Sequence, residues 1–276
     1  MAANLEVVDR DGPPPVWSTL RMEAQEAAQV EPALASLVNA TILAHDELGR
    51  ALSYQIARKL GDGELRAMSV REVAESAYRA EPSLGEAAQA DLNAVCERDP
   101  ACKGYLQPFL FFKGFQALQT HRVAHWLWTQ GRQTLAFHFQ SRVSELFQVD
   151  IHPAARFGSG VFIDHGTGIV VGETAVVGND GSMLHGVTLG GTGAAGVDRH
   201  PKIGDGVLLG AGAKVLGNII VGDHAKVASG SVVLKNVPPG CTAAGVPARL
   251  VNCPTCPEPA RSMDQMLADA AYDYVI

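Results

Sequence analysis

One period governs the second half of this 276-residue chain and restricts its fold more than any other feature. Large apolar residues return every six positions at Phe157, Ile163 and Ile169. An amphipathic helix repeats at three and four, and a half-buried strand alternates, so neither produces this spacing. Cut into sixes from Ile151, the sequence reads IHPAAR, FGSGVF, IDHGTG, IVVGET, AVVGND, GSMLHG, VTLGGT. After the interruption GAAGVDRHPK it resumes as IGDGVL, LGAGAK, VLGNII, VGDHAK, VASGSV, VLKNVP. Eleven of these thirteen hexads begin with Ile, Leu, Val or Phe, and the exceptions begin with Ala175 and Gly181. A six-residue phase held this long is the signature of a parallel β-helix, in which each hexad supplies one short strand and a turn. Three hexads make a triangular coil of about 18 residues, and coils stack at about 4.8 Å. Thirteen hexads therefore predict about four coils, with the leading aliphatic residues pointing into the shaft. Separate strands of a β-sandwich do not keep one phase through so many units.

The first half has a different grammar. ALASLVNATIL places Leu34, Leu37, Val38 and Ile42 on one helical face; REVAESAYRA does so with Val73, Ala74 and Ala77, and EPSLGEAAQADLNAV with Leu84, Ala88, Leu92 and Val95. The aromatic-rich FLFFKGFQALQTHRVAHWLWTQ is expected to pack deeply, and Gly61-Asp62-Gly63 and Asp99-Pro100 read as breaks. The predicted organisation is a disordered leader over 1–15, an all-α domain over 16–147, a β-helix over 148–250 with a loop at 193–202, and a flexible C-terminal tail over 251–276.

Composition narrows the function classes. Charged residues are 18% and apolar residues 47%, the balance of a globular chain. A net charge of −7 repels polyanions, which argues against nucleic acid as a partner. No apolar run is long enough to span a bilayer, and MAANLEVVDRDGPPP lacks the basic and apolar regions of a signal peptide. Five irregularly spaced cysteines favour a reducing cytoplasm over a disulfide framework. Cys253-Pro254-Thr255-Cys256 forms a CxxC with Cys241 as the one other nearby thiol, too few ligands for structural zinc.

Longer strings carry a more specific signal. QVDIHPAA, IDHGTGIVVGETAVVG, VTLGGTG, DRHPKIGDGV, GAGAKVLGN, VLKNVPP and AAGVPAR, behind a large helical region, closely resemble the bacterial serine O-acetyltransferases, members of the hexapeptide-repeat acyltransferases. The resemblance implies an N-terminal all-α domain followed by a left-handed parallel β-helix. It implies transfer of an acetyl group from acetyl-CoA to the hydroxyl of L-serine, giving O-acetyl-L-serine and CoA, the first step of cysteine biosynthesis from serine.

Such a transfer needs a base to take the hydroxyl proton and donors for the tetrahedral oxyanion, and histidine suits the first task near neutral pH. The resemblance makes His165 the catalytic base and Asp150 the carboxylate that orients it; the two are 15 residues apart, close to one coil. It assigns Arg199, with His200 beside it, to the serine carboxylate, a role that suits the forked guanidinium on a loop leaving the solenoid. Asp99 and Asp164 match the residues that hold the substrate amino group, while a turn aspartate before Pro100 is the purely structural reading of Asp99. Gly191, Ala211 and Ser229 match small residues lining the coenzyme groove, and Lys226 and Lys214 are candidates for its phosphates.

His152, His185 and His224 carry weaker signals, and no histidine pair stands at the five-residue spacing of hexapeptide carbonic anhydrases, so no metal is expected. The resemblance further implies a homotrimer or a dimer of trimers, L-cysteine as feedback inhibitor at the serine site, and O-acetylserine sulfhydrylase bound through the C-terminal Ile276. Two rival readings stay open: an acetyltransferase of the same fold acting on a sugar or antibiotic, and a non-catalytic scaffold for the sulfhydrylase.

Overall fold

The chain changes grammar at Gln148, whose left-handed backbone (φ 58°) ends the last long helix and admits the first strand. The computed structural model describes residues 15–193, 197–253 and 257–267. The helical part comprises α1 (Val16–Val30), α2 (Ala35–Val38), α3 (Leu48–Leu60), α4 (Ala67–Ala80), α5 (Ser83–Arg98), α6 (Leu106–Phe111), α7 (Lys113–Thr129) and α8 (Gln133–Phe147). In α1 the inward residues Val16, Leu20 and Ala24 recur every fourth position, the spacing of one helical face. The single helix expected for ALASLVNATIL is instead a 3₁₀ turn, the short α2 and a π turn over Asn39–Leu43. The wider π turn brings Thr41 and Ile42 inward together, and Leu34 and Leu37 stay partly exposed. The aromatic-rich stretch breaks at Phe112 into α6 and α7, and α7 is buried on almost every side from Gly114 to Ala124.

The second half is a three-sided parallel solenoid. Its first face holds β1 (Val149–Ile151), β4 (Ile169–Val171), β7 (Thr188–Gly190), β10 (Lys214–Leu216) and β13 (Val232–Val233). The second holds β2 (Arg156–Phe157), β5 (Val176–Val177), β8 (Lys202–Ile203) and β11 (Ile220–Val221). The third holds β3 (Phe162–Ile163), β6 (Ser182–Met183), β9 (Leu208–Leu209), β12 (Lys226–Val227) and β14 (Thr242–Gly245). The first face has five rungs where four coils were expected, because the winding starts at Val149, ahead of the first hexad, and β13 adds a rung at the far end.

The strand register explains the two hexads that began poorly. Ile163 pairs with Met183 and Val171 with Leu189, so eight residues separate the inward positions across the first corner where six do so in the next coil. The phase slips by two between β3 and β4, and the shaft-facing residues that follow are Val171, Val177, Met183 and Leu189, all buried. Ala175 and Gly181 are therefore not leading positions, and the slip falls on the corner that carries Asp164 and His165.

A buried ion pair ties the halves together. Arg122 on α7 donates to both carboxylate oxygens of Asp91 on α5 and to the Gly158 carbonyl of the solenoid. Asp91 also accepts from Gln119 and from the Val161 backbone N–H. Burial pushes its carboxyl up from the ordinary range, and these donors oppose that shift. Near the start of α7, Gly114 lies against the Ile163 carbonyl so closely that a Cβ would not fit.

At the far end β14 pairs antiparallel with β15 (Ala248–Asn252), and Thr242 faces Asn252. That register sets Cys241 opposite Cys253, and the two form a disulfide. The irregular cysteine spacing, read as arguing against a disulfide framework, did not show this pairing, which the hairpin register creates by bringing Cys253 to Cys241. The segment read as a flexible tail contains the end of β15 and a short helix, α9 (Pro259–Ser262), whose Pro259 and Ala260 are buried. Ile276 and residues 1–14 lie outside the described residues.

Candidate active site

The predicted site residues fall on two edges of the prism. The first edge joins the third face to the first, and the second joins the first face to the second. His165 stands on the first edge, in the enlarged corner between β3 and β4, with a left-handed backbone (φ 57°) and a side chain 75% exposed. The three residues after it include two glycines of positive φ, Gly166 and Gly168, which let the longer corner close. His165 Nε2 lies 3.7 Å from Asp164 Oδ1, and its ring centroid lies 6.2 Å from that of His185 on the next coil. His185, set aside as weak in the sequence, is thus part of this cluster; its residue type gave no signal, but its place one corner later could have been found from the corrected register.

Asp99 reaches the same edge from the helical part. Arg98, next to it at the end of α5, is buried and donates to the Gly181 carbonyl and the Ser182 hydroxyl, each at 3.1 Å. This anchors the end of α5 on the third face and delivers Asp99 beside Asp164. Burial raises the Asp164 carboxyl above its ordinary value, the negative charge of Asp99 adds to the rise, and His165 and His185 oppose it. Asp99 also performs the turn role read from sequence, accepting the Ala101 N–H at 2.8 Å.

Arg199 and His200 occupy the second edge. Arg199 donates to Glu173 at 2.6 Å, and this bond holds the glutamate carboxyl below its usual range. His200 is buried between Gly172 and Gly191, where a Cβ on either glycine would meet its ring. Its Nδ1 accepts the Thr174 N–H, and burial, with the Arg199 charge next, lowers its pKa. Glu173 and Thr174 were missed in the sequence because nothing in a hexad marks a corner polar residue as a partner of a distant loop.

Asp150 lies on β1, opposite Val170 of β4, and accepts from Gln140 of α8 at 2.5 Å. It sits on the first face between the two edges, and within one chain it is bonded to α8. The coenzyme candidates divide as well. Ala211 and Ser229 share the first edge with His165 and His185, in the same corner position of successive coils. Beside them Gly168, Gly186, Gly212 and Gly230, all of positive φ, stack with a Cβ on the first three meeting only the next glycine's backbone. These glycines form a row without side chains beside the row of His165, His185, Ala211 and Ser229, the kind of surface a thin pantetheine arm requires. Gly191 is on the second edge, and Lys226 is buried on the third face, donating to the Asp264 and Met266 carbonyls at 3.1 and 2.7 Å. Lys226 is thus spent on the C-terminal segment; Lys214 donates to the Gly186 carbonyl.

A parallel solenoid of hexads, a glycine-lined edge and an exposed histidine beside a carboxylate define an acyltransferase of the hexapeptide-repeat class. Residues 16–120 match the family described as "Serine acetyltransferase, N-terminal", and residues 200–235 match "Bacterial transferase hexapeptide (six repeats)". A serine acetyltransferase of Escherichia coli (strain K12) is 56% identical over 250 residues, covering 91% of this chain and 92% of that protein. A solved serine acetyltransferase in complex with cysteine is 52% identical, with a TM-score of 0.90, covering 92% of this chain and 98% of that one. A Neisseria gonorrhoeae serine acetyltransferase in complex with serine is 50% identical (TM-score 0.84; 86% and 98% covered). One from Brucella abortus strain S19 in complex with coenzyme A is 52% identical (TM-score 0.86; 88% and 98% covered). The chain belongs to the serine acetyltransferase family, and its solenoid is the left-handed β-helix of that family. Among the described residues no helix is long and apolar enough to cross a membrane.

Proposed function

We propose that His165 is the general base of a direct transfer from acetyl-CoA to L-serine. The observation that carries this reading is the first edge itself: an exposed imidazole, held in a left-handed corner beside Asp164 on the edge that carries the glycine row. His165 takes the serine hydroxyl proton as that oxygen bonds to the acetyl carbon. The carbon–sulfur bond then breaks, and the proton passes to the departing CoA sulfur. Asp99 and Asp164 hold the substrate ammonium; a cation between them opposes the burial and the Asp99 repulsion that raise Asp164.

Arg199, His200 and Asp150 stand away from His165 in one chain, so the complete site forms where the first edge of one copy meets the first face of another. A trimer with parallel shafts makes three such sites, and the helical parts join two trimers. In that arrangement Arg199 grips the serine carboxylate, with His200 beside it, and Asp150 orients the base of the neighbouring copy. L-cysteine, which resembles serine in all but one atom, competes for the same acceptor site, a reading supported by the relative solved with cysteine. O-acetylserine sulfhydrylase binding through Ile276 belongs to the same proposal. Arg199→Ala tests the acceptor assignment: the KM for serine rises at least about tenfold while that for acetyl-CoA stays unchanged. A defect confined to acetyl-CoA contradicts it.

A further inference from the structure

Two cysteines flank Asp99, and the fold closes them on each other. Cys96 lies in the last turn of α5 and Cys102 just beyond the Asp99 turn, and their sulfurs are 3.4 Å apart. Both are free thiols and both are only partly buried. A disulfide requires sulfurs about 2.05 Å apart, so side-chain rotation over little more than an ångström would join them. The turn between them is tight: Cys102 N–H donates to the Asp99 carbonyl, and Ala101 N–H to the Asp99 carboxylate. In the thiol state Cys102 donates to the Gly104 carbonyl at 3.1 Å, and this bond is lost once the sulfur carries no hydrogen. Burial and the bond to Cys102 push the Cys96 thiol up, so it rests protonated in the reduced protein.

We infer that Cys96 and Cys102 form a reversible thiol–disulfide site whose oxidation displaces Asp99 from the acceptor pocket. The oxidant is a low-molecular-weight disulfide. One cysteine sulfur attacks it and expels one small thiol; the second cysteine sulfur attacks the resulting mixed disulfide and expels the other. Two protein thiols become one disulfide, one small disulfide becomes two thiols, and the hydrogens balance. The new bond draws Cys102 from Gly104 towards α5 and pulls on the Asp99 turn, whose other end is fixed by Arg98 on the solenoid. The consequence for catalysis rests on the reading of Asp99 as an acceptor-binding residue; the thiol chemistry does not.

The test treats the reduced full-length protein with oxidised glutathione, removes the reagent and digests with trypsin. Cleavage after Arg98 separates the two cysteines, so the expected product is peptide 80–98 disulfide-linked to peptide 99–103. The KM for serine rises about tenfold, that for acetyl-CoA stays unchanged, and dithiothreitol reverses both changes. Cys96→Ser and Cys102→Ser lose the response, and a Cys241→Ser, Cys253→Ser protein keeps it. Absence of the linked peptide, or stable glutathione adducts in its place, overturns the site. A linked peptide with both KM values unchanged overturns its control of the acceptor. If the reduced protein shows no serine-dependent turnover at all, the functional reading fails, and the linked peptide alone decides the thiol site.

Discussion

His165 and His200 stand at opposite ends of one strand: His165 in the corner that precedes β4, His200 against Gly172, the first residue beyond it. A single copy of the chain therefore splits the acceptor-binding groups between two edges of the prism. The account joins them by pairing chains, and this has a measurable consequence. Assayed at serine well below the wild-type KM, His165→Ala and Arg199→Ala proteins each keep about a tenth of the wild-type rate or less. Co-expressed in equal amounts they recover about a quarter of the wild-type rate, the fraction of interfaces in a cyclic assembly that draw both intact residues. No recovery in co-purified mixed oligomers places both residues in one chain's site.

The Asp91–Arg122 pair dominates the joint between helices and solenoid. Removing Arg122 leaves the Asp91 charge buried with only the neutral donors Gln119 and Val161 N–H, which costs about 3–5 kcal/mol. Arg122→Ala is expected to lose that much in urea unfolding, with little change in slope. A loss below about 1 kcal/mol would mean that water reaches the carboxylate.

His121 makes stability depend on pH. It is fully buried, its Nε2 meets the Ala155 carbonyl, and its Nδ1 has no hydrogen-bond partner among the described residues. Burial holds its pKa well below the ordinary 6.5, and His125 and Arg122 push the same way. The unfolded chain binds the proton more readily than the folded one. This contribution is thus complete above the unfolded value and is lost as pH falls below it towards the folded value, at up to about 1.4 kcal/mol per pH unit. Melting temperature measured down from neutral pH shows the decline, and His121→Gln flattens it. An equal slope in both proteins assigns the acid sensitivity elsewhere.

Much of the solenoid was legible because its shaft has one rule, a large apolar residue at each inward position, and the hexads display it directly. The two-residue slip at His165 was hidden by Ile169, which is also buried and so kept the apparent phase alive for one more unit. Asp164, His165 and Asp99 were legible as a set through the family strings, and Asp99 comes to Asp164 because Arg98 is anchored on Ser182. That contact spans 84 residues and leaves no periodic trace. The burial of Lys226 was hidden for a related reason: a lysine at a strand position reads as solvated, but the returning C-terminal segment covers it and supplies carbonyls. Asp91 and Arg122 lie on different helices, 31 residues apart, and charge pairing at that distance has no signature in one sequence.

The central claim is that His165 drives acetyl transfer to serine, and the direct measurement is free thiol released from acetyl-CoA by the purified protein and by its His165→Ala variant. Each is assayed with L-serine, without acceptor and with a galactoside. The account predicts release that requires serine, falls by about 10²–10⁴-fold in the variant, and leaves the affinity for acetyl-CoA nearly intact. Undiminished serine-dependent release by the variant, or release that follows the galactoside, would contradict it.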